Sequence, residues 1–338
     1  MTAASLFSAQ LGLETSDPLQ VVIVFLAGIL LQVYGAKLLV GGGSGLARRF
    51  GVHPLVIGST VVAFGVSAPE LFLSLWAAGK GQGDIAVGNA VGSVIANVGL
   101  ILGLSAVARP LRFRPQLFHA EAPIMVASAA LVGFLLRNSW IGRFEAMLLC
   151  FGLVGYAIFI WFSAEIEADS SVIERMEKDL PPAGLSRWVE VAQVAGGVVL
   201  LIAGARYLVK AAVTGAEMAG LSQPALALAV IPLAASTPEL FSLVSALLRK
   251  EKELAGGLVV GACIFQSLGV VGFSALLRPL LAPNINQLDL GVMLIATVAV
   301  LPLIQAGPKK RQVIGVGLLV GYGLYLTQLL GRGISGSL

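Results

Sequence analysis

Of the 18 acidic residues in this 338-residue chain, two lie deep in apolar sequence, Glu70 and Glu239. A carboxylate held in an apolar helix costs several kcal/mol unless it is partnered, and by default it marks a functional site. Each glutamate closes the same short pattern, Ser67-Ala68-Pro69-Glu70 and Ser236-Thr237-Pro238-Glu239. Serine and glutamate are three residues apart in both, so a helix presents hydroxyl and carboxylate on one face. The prolines lack an N–H, which frees the carbonyls four residues back, on Gly65 and Ala234. At membrane depth such carbonyls line a polar cavity or bind an ion. Carboxylate, hydroxyl and carbonyl oxygens are hard ligands, suited to Ca²⁺ and Na⁺ rather than to zinc or copper. A protonated glutamate bonded inside a bundle is the bland explanation for one such residue. Two in the same setting point to a site.

Two amides join them, Asn97 and Gln266, with Ser93 one helical turn before Asn97 on the same face. At the position matching Ser93 the chain has Ala262. Buried amides also serve simply to hold helices together, and Gly88, Gly92, Gly257 and Gly261 read as close-packing positions. Nitrogen-ligand metal chemistry lacks material, because His53 and His119 fall in predicted loops. Cys150 and Cys263 lie in apolar runs without ligand spacing and read as small buried hydrophobes.

The elements that must position these groups are membrane helices. The chain is 57% hydrophobic and 12% charged, against about 25% charged in soluble domains. So few charges exclude a soluble enzyme, a disordered chain and a nucleic-acid binder. Apolar stretches long enough to cross a bilayer are expected at about 19–42, 54–78, 85–107, 122–136, 142–163, 189–210, 223–248, 254–277, 288–305 and 313–330. The first eighteen residues carry Glu14 and Asp17 but no basic residue, so no cleavable signal is evident.

With the N-terminus outside, fourteen of the 22 basic residues fall in inside loops: Arg48, Arg49, Arg109, Arg112, Arg114, Arg175, Lys178, Arg187, Arg249, Lys250, Lys252, Lys309, Lys310 and Arg311. Lys80, Arg137, Arg143, Lys210, Arg278 and Arg332 fall outside, and Lys37 and Arg206 within spans. This is the positive-inside pattern. It predicts a multi-pass protein of the cell (inner) membrane with both termini extracytoplasmic.

A shift of 169 residues aligns the chain with itself without a gap: GAKLLV with GARYLV, SAPELF with STPELF, GNAVGSVIAN with GLVVGACIFQ, and Arg109-Pro110-Leu111 with Arg278-Pro279-Leu280. Each half holds five spans. Five is odd, so the second half enters the membrane upside down, a transporter architecture with its site at the midplane between the halves. The expected fold is an all-α polytopic membrane protein of ten transmembrane helices in two inverted five-helix repeats. Its segments are an extracellular 1–18, a first repeat over 19–163, a cytoplasmic linker over 164–187 and a second repeat over 188–338. The acidic linker reads as a solvated connector rather than a cation sensor.

FGVSAPE (Phe64–Glu70), AASTPE (Ala234–Glu239) and GNAVGSVIAN resemble the α-repeats of the cation/Ca²⁺ antiporters, specifically the prokaryotic sodium/calcium exchanger branch. The resemblance covers essentially the whole chain and occurs twice in the right order. It implies a diamond of oxygen ligands around one Ca²⁺ or several Na⁺: Glu70, Glu239, Asn97 and Gln266, with Ser67, Ser236 and Ser93 around them and main-chain oxygens at Val66 and Ala235. The chain departs from the family pattern at Val66 and Ala235, where the family has threonine, at Ala262 in place of a second serine, and at Gln266, where an acid or asparagine is common. No cofactor is implied.

Two fixed carboxylates give such a site about −2 charge, costly to move empty through a low-dielectric layer. It should change sides only when occupied, which is obligatory exchange by alternating access. Na⁺/Ca²⁺ antiport is the leading reading. H⁺-coupled Ca²⁺ exchange is the alternative, and a non-transporting membrane scaffold or sensor a third. An enzyme is not expected, since no nucleophile–base or zinc constellation exists. The ions and the lipid bilayer are the expected partners, with oligomeric state open.

Overall fold

The structure is a computed structural model that describes residues 17–52, 63–108, 120–166, 186–240 and 259–334. The described residues are almost entirely helical, in ten membrane helices. The first half has α1 (Pro18–Arg49), α2 (63–79), α3 (Gly83–Ala108), α4 (Ala122–Asn138) and α5 (Arg143–Ile166). The second has α6 (Arg187–Met218), α7 (223–240), α8 (Val259–Leu277), α9 (Gln287–Gln305) and α10 (Pro308–Ile334). Seven of them, all but α2, α4 and α7, are each long and apolar enough in their described residues to cross a membrane. Large apolar side chains such as Phe144, Phe151, Ile295 and Val313 are exposed, as a surface bathed in hydrocarbon requires. One non-helical pairing clips the halves together, β1 (Trp140–Ile141) running antiparallel to β2 (Leu280–Leu281).

Local chemistry sets the helix ends. Pro18 opens α1 behind Asp17, whose side chain accepts the Leu19 N–H at 2.9 Å, the usual N-cap arrangement. Asn286 and Asp289 form a reciprocal capping box at the start of α9,. After α1 the chain turns at Gly51 (φ +73°), and after α6 at Gly220 (φ +66°). Both left-handed positions favour glycine, and they are equivalents under the 169-residue shift.

α3 and α8 form the centre: 83% and 89% of their apolar stretches are buried, against 28% for α1, α5, α6 and α10. α1 and α6 lie antiparallel along a seam of glycines. A Cβ on Gly28 would meet the Leu208 nitrogen at 2.9 Å, and one on Gly197 the Leu39 nitrogen at 2.8 Å. Likewise Gly35 would meet the Gly197 oxygen, and Gly204 the Gly28 oxygen, both at 3.0 Å. Each contact is the other's repeat equivalent, the signature of a two-fold relation. Since the shared helices run antiparallel, the repeats are inverted.

α1 and α6 are longer than the expected 19–42 and 189–210. α1 passes through Gly41-Gly42-Gly43 to Arg49, and α6 continues to Met218, so Lys210 is buried within a helix rather than in a loop. Arg332 likewise belongs to α10, where its Nη1 pairs with Asp289 at 2.9 Å. Asp289 and Glu190 are buried acids beside the two glutamates. They sit in the first turns of α9 and α6, and Glu190 is paired to Arg49 at 2.5 Å. The ends of three spans (54–62, 241–248, 254–258), most of the linker, His53, His119, Gly257 and the basic residues Arg109, Arg112, Arg114, Arg175, Lys178, Arg249, Lys250 and Lys252 lie outside the described residues.

Candidate ion site

Both Ser-x-Pro-Glu segments break their helices at the serine. α2 consists of Ala63–Val66 and Ala68–Gly79, separated by Ser67 at φ −87°, ψ 9°. In α7 the piece Ile231–Ala235 ends at Ser236, φ −77°, ψ 9°, and helix resumes at Thr237. The proline after each serine cannot continue the hydrogen-bond ladder, so each glutamate stands in the first turn of a fresh half-helix. Val66 and Ala235 immediately precede the breaks. The Ala234 carbonyl, expected to be free, accepts the Thr237 hydroxyl at 2.7 Å. The side chain following the break thus occupies one of that carbonyl's two lone pairs,.

The two breaks meet at the junction of the halves and serve each other. Ser236 Oγ donates to Glu70 Oε1 at 2.8 Å, and Ser67 Oγ donates to Glu239 Oε1. The shared helix face of each serine–glutamate pair therefore does not join its own two members: each hydroxyl reaches the carboxylate of the opposite repeat. Ser236 also lies 3.3 Å from Ser93 Oγ. At the equivalent place in the other half Ala262 has no hydroxyl to offer Ser67.

The amides come from π-helical turns within the central helices, Asn97–Leu102 in α3 and Phe265–Val270 in α8. Such turns widen a helix by one residue and concentrate at functional sites. Asn97 Nδ2 donates to Glu239 Oε2 at 2.7 Å and faces Gln266 Oε1 at 3.3 Å. Gln266 Nε2 reaches both Glu239 oxygens at 3.3 and 3.4 Å. Glu70, Ser67, Ser93 and Gln266 are 0% exposed, Asn97 1%, Ser236 3% and Glu239 8%. Amid this saturation two acceptors of the cluster have no hydrogen-bond partner among the described residues, Glu70 Oε2 and Asn97 Oδ1. A buried oxygen without a donor costs about 1–3 kcal/mol, and a cation is one kind of group that satisfies such an oxygen.

Further groups support the cluster. Asn89 Nδ2 donates to the Glu70 carbonyl at 3.0 Å and to Ser74 Oγ at 2.9 Å, and Ser74 donates to the Ala86 carbonyl at 3.1 Å. Neither residue stands out from the sequence by itself; the available signal was a buried polar side chain one turn or more from Ser93 and Asn97 in α3 and from Glu70 in α2. Phe64 stacks on Phe265, with ring centroids 4.7 Å apart, beside Gln266. Gly88 and Gly92 pack as expected: added Cβ atoms would strike Ala227 at 2.6 Å and the Leu228 oxygen at 2.4 Å. Gly261 is buried in α8.

The model of the family described as "Sodium/calcium exchanger protein" matches residues 20–163 and 189–331, one match in each half. The chain belongs to the sodium/calcium exchanger family. This is a family of transporters, not of enzymes. Among its relatives, the inner membrane protein YrbG of Escherichia coli (strain K12) is 33% identical over 313 residues, covering 90% of this chain and 95% of its own. The sodium/calcium exchanger MaX1 of Methanosarcina acetivorans is 26% identical over 343 residues, covering 91% and 97%. The solved structure of the sodium-calcium exchanger NCX_Mj superposes with a TM-score of 0.62 at 23% identity, over 93% of this chain and all of that one. At that identity the likeness supports the ten-helix, two-repeat fold.

Proposed function

We propose that this exchanger-family member carries Ca²⁺ in one direction and Na⁺ in the other by alternating access at the Glu70–Glu239 site. The observation that carries the reading is the pair of unsatisfied buried oxygens, Glu70 Oε2 and Asn97 Oδ1, inside a cluster of two carboxylates, two amides and three serine hydroxyls. Ca²⁺ takes six to eight oxygen ligands. Glu70, Glu239, Asn97 and Gln266 supply the inner set, Ser67, Ser236 and Ser93 stand beside them, and Val66 and Ala235 offer main-chain oxygens at the breaks. One Ca²⁺ cancels the charge of two carboxylates, so the loaded site crosses the low-dielectric layer at far lower cost than the empty one. That difference couples the two ions without leakage.

H⁺-coupled exchange is the second reading. Ala262 favours it, because the missing hydroxyl removes one sodium ligand from one wing while two carboxylates still accommodate two protons. ⁴⁵Ca²⁺ uptake into proteoliposomes separates the two. An outward Na⁺ gradient alone should drive uptake, whereas uptake driven only by a pH gradient would establish the proton reading. Uptake under neither gradient would remove antiport altogether.

The distribution of basic residues supports a cytoplasmic linker and termini outside the cell. A cysteine introduced within 164–187 should react with an impermeant thiol reagent from the cytoplasmic side alone. Labelling from outside intact cells would invert the topology.

A further inference from the structure

Away from the ion site, α3, α9 and α10 enclose a cavity of about 440 Å³ walled by Ile95, Gly99, Ile295, Ala299, Gly317 and Gly321. Its lining is apolar except for Tyr322, and it sits within the membrane-spanning lengths of all three helices. It opens sideways to the surrounding hydrocarbon: Ile295 is 71% exposed, and Gly317 and Gly321 are exposed as well. Added Cβ atoms at Gly317 and Gly321 would meet nothing within 4 Å. Gly99 packs closely on Tyr322 of α10, but Gly317 and Gly321 leave open space, unlike the glycines of the α1–α6 seam.

The helix below the cavity supplies charge. Lys310, Ile314, Gly317 and Gly321 follow spacings of four, three and four residues along α10, which keeps them on one stripe. Lys310 is exposed. It lies between Lys309 and Arg311, and no Asp or Glu occurs anywhere after Asp289. From Lys310 to Gly321 the helix rises about 16 Å, close to the hydrocarbon depth of one leaflet, about 15 Å. A cation at the membrane edge with an apolar slot running one leaflet inward is complementary to one molecule class, a phosphate head carrying an acyl chain.

We infer that this cavity is a binding site for an anionic glycerophospholipid, with one acyl chain between α3, α9 and α10 and the phosphate on Lys310. The inference is independent of the transported ion.

The test uses the purified full-length chain in detergent, with native mass spectrometry of the first lipid bound. Phosphatidylglycerol and phosphatidylcholine of identical chains are the probes. Phosphatidylglycerol should bind wild type at least fivefold more tightly than phosphatidylcholine. K310Q, a surface change that leaves the fold intact, should erase that preference. G317L fills the slot and should weaken both lipids at least fivefold, while G155L, in equally open space on α5, should weaken neither. Retained preference for phosphatidylglycerol in K310Q, or wild-type binding of both lipids by G317L, would overturn the assignment.

Discussion

Asn97 hydrogen-bonds to Gln266, its own equivalent in the other repeat, across 3.3 Å. Two copies of one position can touch only where the relation between the halves has its axis, so the pseudo-two-fold runs through the polar cluster. Around it Ser67 serves Glu239 and Ser236 serves Glu70. Neither half alone completes the hydrogen bonding of the cluster. Each contributes a carboxylate whose hydroxyl partner belongs to the other, so relative movement of the halves would break these hydrogen bonds and, on the proposed function, rearrange the ligands.

The two serines are unequal. Ser236 is the only side chain donating to the Glu70 carboxylate among the described residues, whereas Glu239 also takes Asn97 and Gln266. A hydrogen bond to a charged group contributes about 1.5–3 kcal/mol. Ser236→Ala should therefore raise the Ca²⁺ concentration for half-maximal exchange about tenfold or more, and Ser67→Ala by only about two- to threefold. Measured Ca²⁺ dependence of exchange checks the order; equal effects would mean that the asymmetry of the hydrogen bonds does not reach the ion.

Ala262 occupies the place that Ser93 holds in the first half, and it is buried. Ala262→Ser restores an oxygen there, in reach of the wing that lacks one. The Na⁺ concentration for half-maximal Ca²⁺ exchange should fall several-fold, with a smaller change in Ca²⁺ dependence. An unchanged Na⁺ curve would place that position outside the sodium path.

The glycine seam predicts a mechanical effect. An alanine at Gly204 would put its Cβ 3.0 Å from the Gln32 nitrogen and the Gly28 oxygen, both main-chain atoms that cannot swing aside. Overpacking of this kind costs about 1–3 kcal/mol. Gly204→Ala should lower the melting temperature of the purified protein and slow exchange, while Gly155→Ala, which meets nothing within 4 Å, should do neither. A Gly204→Ala protein with wild-type melting and rate would show that the seam has slack.

Much of this arrangement is legible in the chain itself. Glu70 and Glu239 stand out because a repeated carboxylate in apolar sequence has few structural uses, and the 169-residue shift pairs them with Asn97 and Gln266 by position. What the sequence hides is direction. Spacing puts Ser67 on the face of Glu70, yet the break at Ser67 turns its hydroxyl to the opposite repeat, a tertiary effect invisible to local periodicity. Asn89 and Ser74 were passed over because the position matching Asn89 in the other half is Leu258, so the repeat gave no signal. α1 runs past the expected end at 42 although Gly41-Gly42-Gly43 has poor helix propensity,. The helix continues because a Cβ at Gly42 would strike the Glu190 carbonyl at 2.5 Å: contact with α6 demands glycine there, and packing overrides propensity.

On the proposed function, Glu70 and Glu239 together hold the transported Ca²⁺. Ca²⁺ requires charged oxygen ligands to offset its dehydration, and a glutamine in place of either residue keeps shape and hydrogen-bonding capacity while removing one charge. The direct measurement is ⁴⁵Ca²⁺ uptake into Na⁺-loaded proteoliposomes carrying wild type, Glu70→Gln or Glu239→Gln, each first shown to elute and melt as a folded protein. Both variants should fall to the level of protein-free vesicles. Uptake at the wild-type rate by either one would contradict the shared-carboxylate site.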